Sequence, residues 1–79
     1  MEMTIKYTEH AEFRMRHRAI SRIDVEDTVQ NPDFSFTTHL GRLVALKKYG
    51  GKFLKVVYEK SNDKIMVVTV YWTRRWRRW

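Results

Sequence analysis

The stretch "HAEFRMRHR", residues 10–18, carries two histidines and three arginines in nine positions. His10, Arg14 and Arg18 recur every four residues, so on a helix they form one row with steps of about 5–6 Å. Histidine, with a reference pKa near ~6.5, can take or give a proton around neutral pH. Arginine keeps its charge and presents a fork of donors that matches phosphate oxygens. Such a row suits two jobs. It can hold a phosphate and move protons beside it, or it can pair with acids such as Asp24, Asp27 or Glu59 and brace a small fold.

A helical wheel sharpens the question. With His10 at zero, Arg14 and Arg18 fall at roughly 40° and 80° and His17 at roughly 340°, while Glu9, Glu12 and Arg16 gather near roughly 230°. If the second group faces water, the His/Arg row faces inward, where an unpaired charge costs several kcal/mol. An ion-pair network and a phosphate cleft both answer that cost. The residues by themselves leave both open.

The elements that must position this row can be read from pattern. "MTIKY" alternates apolar and polar residues as a short first strand does, and Thr8 is placed to cap a helix running to about Ala19. Ser21 with Asp24 resembles a capping box, and Ile20 and Val25 occupy its staple positions. Asn31-Pro32 stops this second helix. "FSFTTH", "RLVALKKY", "KFLKVVYEK" and "KIMVVTVYWT" then read as strands, broken at Leu40-Gly41, Gly50-Gly51 and Ser61-Asn62-Asp63. Connections this short join antiparallel neighbours. The expected fold is α+β, β-α-α-β-β-β-β, with two helices on one face of an antiparallel sheet and Ile23, Val25, Val29, Leu54, Val56, Val68 and Val70 in its core.

Composition bounds the rest. Seventy-nine residues, 43% of them hydrophobic, make one small domain, expected over residues 1–73 with a basic-aromatic tail at 74–79. There is no cysteine for a disulfide or a thiolate metal site, and no metal or cofactor is expected. "MEMTIKYTEH" lacks the apolar core of a signal peptide and no apolar run is long enough to span a bilayer, so the expectation is a cytoplasmic protein without a membrane partner. The net charge of +7 points to a polyanionic partner, although four arginines of the last six residues supply more than half of it.

Three features together, His10-x3-Arg14-x3-Arg18, "AISRIDVEDTVQNP" and a glycine-punctuated meander ending "VVTVYWT", resemble the domain-of-unknown-function family DUF4258 over residues 4–73. That family in turn resembles the RelE/ParE-like toxins. The resemblance implies a RelE-like fold and, where members are active, a metal-independent endoribonuclease that is the toxin of a toxin–antitoxin pair, with RNA as substrate and an acidic antitoxin as partner. Family positions carry over as His10, Arg14 and Arg18, and as the last strand around Thr69, Tyr71 and Thr73. This chain departs from the pattern at Ala19, where the family usually has glycine, at Glu12 and Phe13, and in the tail "RRWRRW".

On that reading His10 is the candidate acid/base, Arg14 and Arg18 clamp the phosphate, and Tyr71 is a second proton donor or a stacking platform. His17, Lys55, Thr69 and tail residues Arg74, Arg75, Trp76, Arg77 and Arg78 are candidate RNA contacts, since arginine beside tryptophan suits backbone phosphate and unpaired bases. His17 also suits the negative end of the helix dipole. Trp72 reads as a core or rim aromatic, His39 as a loop residue, and Lys47, Lys48 and Lys52 as edge and surface lysines. The rival expectation is a non-catalytic module of the same fold that binds RNA, DNA or a protein. A third is an inactive homologue whose row is an internal ion-pair network.

Overall fold

The computed structural model describes residues 4–38 and 40–74. Strand β1 (Thr4–Tyr7) leads through Thr8 into helix α1 (Glu9–His17), and helix α2 (Arg22–Gln30) follows after a tight connection. Strands β2 (Phe34–Thr37), β3 (Leu43–Tyr49), β4 (Lys52–Ser61) and β5 (Lys64–Thr73) complete the order read from the sequence. Both helix caps form as expected: the Thr8 hydroxyl accepts from the Ala11 amide at 3.0 Å and the Ser21 hydroxyl from the Asp24 amide at 3.1 Å.

The break between the helices is a Schellman-type stop. Ala19 adopts φ 54, and the Ile20 amide reaches back to the Met15 carbonyl at 2.9 Å. Ile20 and Met15 are both buried, which supplies the apolar contact that accompanies this motif. The left-handed backbone at Ala19 is the physical reason glycine suits the position.

The sheet corrects the expected all-antiparallel architecture. β2, β3, β4 and β5 form the antiparallel meander, but β1 joins its far edge parallel to β5, giving the mixed order β1-β5-β4-β3-β2. The parallel pair arises because two helices, not a turn, separate β1 from the strands, and the free edge of β5 takes it up. Short turns could speak only for the strands they join.

A bulge in β5 corrects a second expectation. Val57 pairs with Thr69 and Tyr58 with Val67, so Val68 is the extra residue. With Val68 and Val70 both expected in the core, simple alternation would turn Ile65, Val67, Thr69 and Tyr71 to the other face; the bulge reverses the sense there. Ile65, Val67, Val70 and Trp72 therefore pack with the core under the helices, and Thr69 and Tyr71 turn to the opposite face.

Ala11, Met15, Ile20, Val25, Val29, Leu54 and Val56 fill the rest of that core. Of the expected core, Val68 is only half-buried at the bulge, and Ile23 is 79% exposed. Ile23 lies two positions before Val25, roughly 200° around the wheel, and cannot share its face. No helix among the described residues is long and apolar enough to cross a membrane.

Candidate functional site

Helix α1 is tied to β5 near both ends. At its start the Thr8 amide donates to the Val67 carbonyl at 3.1 Å and the Thr8 hydroxyl donates to the Val68 carbonyl at 2.9 Å. The bulge thus supplies a carbonyl to the helix cap. Past its end the Trp72 indole Nε1 donates to the Arg18 carbonyl at 3.2 Å. Between these anchors the edge of β5 away from β4 has no strand beside it among the described residues, because β1 pairs only with residues Lys64 to Val67. Arg14 and Arg18 therefore stand along an open stretch of sheet edge.

The row does not face inward. Ala11 and Met15 are the buried residues of α1, whereas His10, His17 and Arg18 are exposed and Arg14 is half-buried. The row borders the buried face: the small Ala11 and the flexible Met15 fit against β5, and the longer charged side chains splay out along its rim.

Two of the three acids expected as structural partners, Asp27 and Glu59, are engaged elsewhere. Asp27 lies 3.5 Å from Lys47 and 3.4 Å from the Tyr49 hydroxyl, and Glu59 accepts from Arg42 at 3.0 Å. Asp24 contributes backbone groups, its amide to Ser21 and its carbonyl to Thr28 and Tyr49. Among the described residues, neither Arg14 nor Arg18 has a carboxylate within ion-pair distance. Among the described residues the internal ion-pair network is therefore not formed.

Arg14, Arg18, Tyr71 and Trp72 line one pocket of about 180 Å³. It is smaller than the roughly 300–1,000 Å³ of pockets that enclose drug-sized ligands, and large enough for a phosphate group. Three of the four candidate catalytic residues thus meet in one place. Tyr71 reaches it from an unexpected side: it pairs across the sheet with Lys55, whose Nζ lies 5.2 Å from its ring centroid, on the face away from the helices. Its ring does not share a face with the core aromatics. Lys55 is only 8% exposed, and Thr69 is half-buried on the same helix-free face; neither lines the Arg14 pocket.

Trp72, read from sequence as core or rim, is the residue that organises the site. Besides holding the Arg18 carbonyl, it lines the pocket, meets Tyr49 edge-on at 6.0 Å and carries the Lys52 Nζ 4.1 Å above its ring. The signal that hid both roles was the bulge, which nothing in "VVTVYW" announces.

Two larger pockets each mix cations with a carboxylate. One of about 250 Å³ gathers Lys6, Lys60 and Lys64 with Glu59. The other, of about 320 Å³, contains Arg16 and Arg22, and its Glu12 lies 3.4 Å from the Arg22 guanidinium. Arg22 also sits 5.1 Å from the ring centroid of Tyr7, whose hydroxyl donates to Glu26 at 3.1 Å. Burial first, then that bond and the Glu26 charge, push the Tyr7 phenol well above its ordinary range, with Arg22 opposing.

His10 makes no side-chain hydrogen bond with the described residues, while the His17 ring stacks on Phe13 at 4.1 Å with an interplanar angle of 27°. Arg74 is exposed at the end of β5. His39 and the tail candidates Arg75, Trp76, Arg77 and Arg78 lie outside the described residues. Among the described residues, no group of three or more His, Asp or Glu is arranged to hold a metal ion.

A family model described as "Domain of unknown function (DUF4258)" matches residues 7–72, which takes in β1's end, both helices and almost all of β5. No curated protein and no solved structure matches the chain.

Proposed function

The chain belongs to the DUF4258 family, and from that premise we propose that it binds the phosphate backbone of RNA at the α1–β5 edge and cleaves it as a metal-independent endoribonuclease of RelE-like type, the toxin of a toxin–antitoxin pair. One observation carries this reading: two arginines on a helix, anchored beside an open sheet edge, with their potential acidic partners committed elsewhere. A cation that no carboxylate neutralises keeps its affinity for an external anion, and a forked donor favours phosphate.

In the proposed reaction the RNA 2′-hydroxyl attacks the adjacent phosphorus and gives up its proton. The bond from phosphorus to the 5′-oxygen breaks, and that oxygen takes a proton. The products are a 2′,3′-cyclic phosphate and a 5′-hydroxyl. Arg14 and Arg18 stabilise the charge that builds on the phosphoryl oxygens. His10, one helical turn before Arg14, transfers the proton.

A second reading is a binding module without catalysis, and a specific observation favours it. His10 is exposed and, among the described residues, has no hydrogen-bond partner to orient its ring. Both readings are separated by incubating labelled single-stranded RNA with the parent protein, His10→Ala and Arg14→Ala in the presence of a chelator. The ribonuclease reading expects cyclic-phosphate ends from the parent, a loss of about 10²–10⁴ in rate for His10→Ala with binding kept, and weakened binding for Arg14→Ala. Binding without cleavage by the parent selects the module. No binding at all ends both.

A further inference from the structure

Phe13 is 49% exposed on α1, and the His17 ring lies against it, nearly parallel, with centroids 4.1 Å apart. An exposed phenyl ring of this kind adds nothing to the core, which α1 reaches through Ala11 and Met15. Its position is more telling. Phe13 immediately precedes Arg14 and His17 immediately precedes Arg18, so an aromatic pair and an arginine pair run side by side along the same helix. The two rows share one spacing, because both repeat at one helical turn.

A single-stranded nucleic acid presents the matching alternation of phosphate and unpaired base. Bases of every type have a flat face that stacks on aromatic rings, and the backbone charge fixes them beside cations. A duplex offers its bases only as groove edges, and would leave the ring faces unused. An acidic peptide would satisfy the arginines and leave Phe13 without a partner.

We propose that the Phe13–His17 stack is a base platform beside the Arg14–Arg18 clamp, which makes unpaired RNA the substrate class of this site. The proposal rests on the phosphate-binding reading above. The base stacks on the face of Phe13 that His17 leaves open, and its phosphates lie along Arg14 and Arg18.

The test compares three probes with the full chain: a 2′-O-methyl oligoadenylate, which cannot be cleaved, a backbone of the same length without bases, and a duplex. Variants are Phe13→Ala, Phe13→Trp and Arg14→Ala, with melting curves to confirm folding, since Phe13 is exposed. The expected result is a loss of about 5–150-fold for Phe13→Ala on oligoadenylate, in keeping with the worth of one stacked base. The same variant binds the base-free backbone as the parent does, and Phe13→Trp restores the oligoadenylate affinity. Arg14→Ala weakens both single-stranded probes. If Phe13→Ala leaves oligoadenylate binding intact while Arg14→Ala weakens it, the platform is overturned and the phosphate clamp survives. Preference for the duplex, or equal binding of the base-free backbone, likewise overturns it. If the parent binds none of the probes, the platform and the clamp fall together.

Discussion

The Trp72 indole donates to the Arg18 carbonyl at 3.2 Å, joining the end of the last strand to the residue that caps the first helix. These residues lie 54 positions apart, yet they line one pocket. With the Thr8–Val68 bond at the other end, the helix is pinned over the unpaired edge of β5 at two points. The arginines owe their place to this pinning, because among the described residues neither is held by an acid.

Trp72→Phe keeps most of the ring in contact with the core and removes only the donor. The bond is near the surface, so its loss lowers stability by about 0.5–1.5 kcal/mol, read as a lower denaturant midpoint with unchanged slope. RNA affinity falls as well, because the carbonyl end of α1 is no longer fixed. A variant with altered stability and parental RNA affinity would separate the anchor from the site.

Arg14→Ala is neutral or mildly stabilising, since it removes repulsion from Arg18 without stranding a carboxylate. It weakens RNA binding by about ten-fold or more, the value of one charge-assisted contact of roughly 1.5–3 kcal/mol. Replacing both arginines flattens the plot of log affinity against log salt by about 1.4 for a single strand. A drop in stability of roughly 3–5 kcal/mol for Arg14→Ala would instead reveal a buried ion pair.

Ala19→Gly stabilises the fold. The residue holds φ 54, where an L side chain is strained by about 1–2 kcal/mol, and glycine gives part of this back as unfolded-state entropy. A net gain of about 0.5–1 kcal/mol is expected in thermal or denaturant unfolding. Destabilisation would mean that the Ala19 methyl contributes packing that outweighs its backbone strain.

Alkaline pH tests the Tyr7 environment. Its folded pKa is raised above the unfolded value near 10.0, so below that pH both states keep the proton and stability is unaffected by this group. As pH rises above about 10 the unfolded chain ionises first, and stability falls until the folded phenol also ionises. Tyr7→Phe removes this share of the loss. Its melting temperature should decline less steeply than the parent's between about pH 10 and 12, with lysine titration common to both.

Much of the fold was legible locally. Thr8 and Ser21 cap helices because a hydroxyl in an extended residue meets the amide three positions on, a relationship written within four residues. The last strand was read with the ends it has, Lys64–Thr73, because β-branched and aromatic residues crowd between two turn signals. The spacing of His10, Arg14 and Arg18 likewise follows from the helical repeat alone.

Tertiary structure decided what those elements do together. The parallel pairing of β1 with β5 depends on which sheet edge remains free, and β1's own residues carry no mark of it. The bulge at Val68 offers its carbonyl to Thr8, and one extra residue turns Tyr71 to the far face and Trp72 into the site. The arginines' freedom was likewise invisible in the chain, for Asp27 and Glu59 are near enough in composition to neutralise them. In the fold Asp27 and Glu59 meet Lys47 and Arg42, across strands and helices distant in sequence, and among the described residues no carboxylate reaches Arg14 or Arg18. Local hydrogen bonding is settled within a turn of chain, whereas the partner of a charge is settled by whichever opposite charge folding brings nearest.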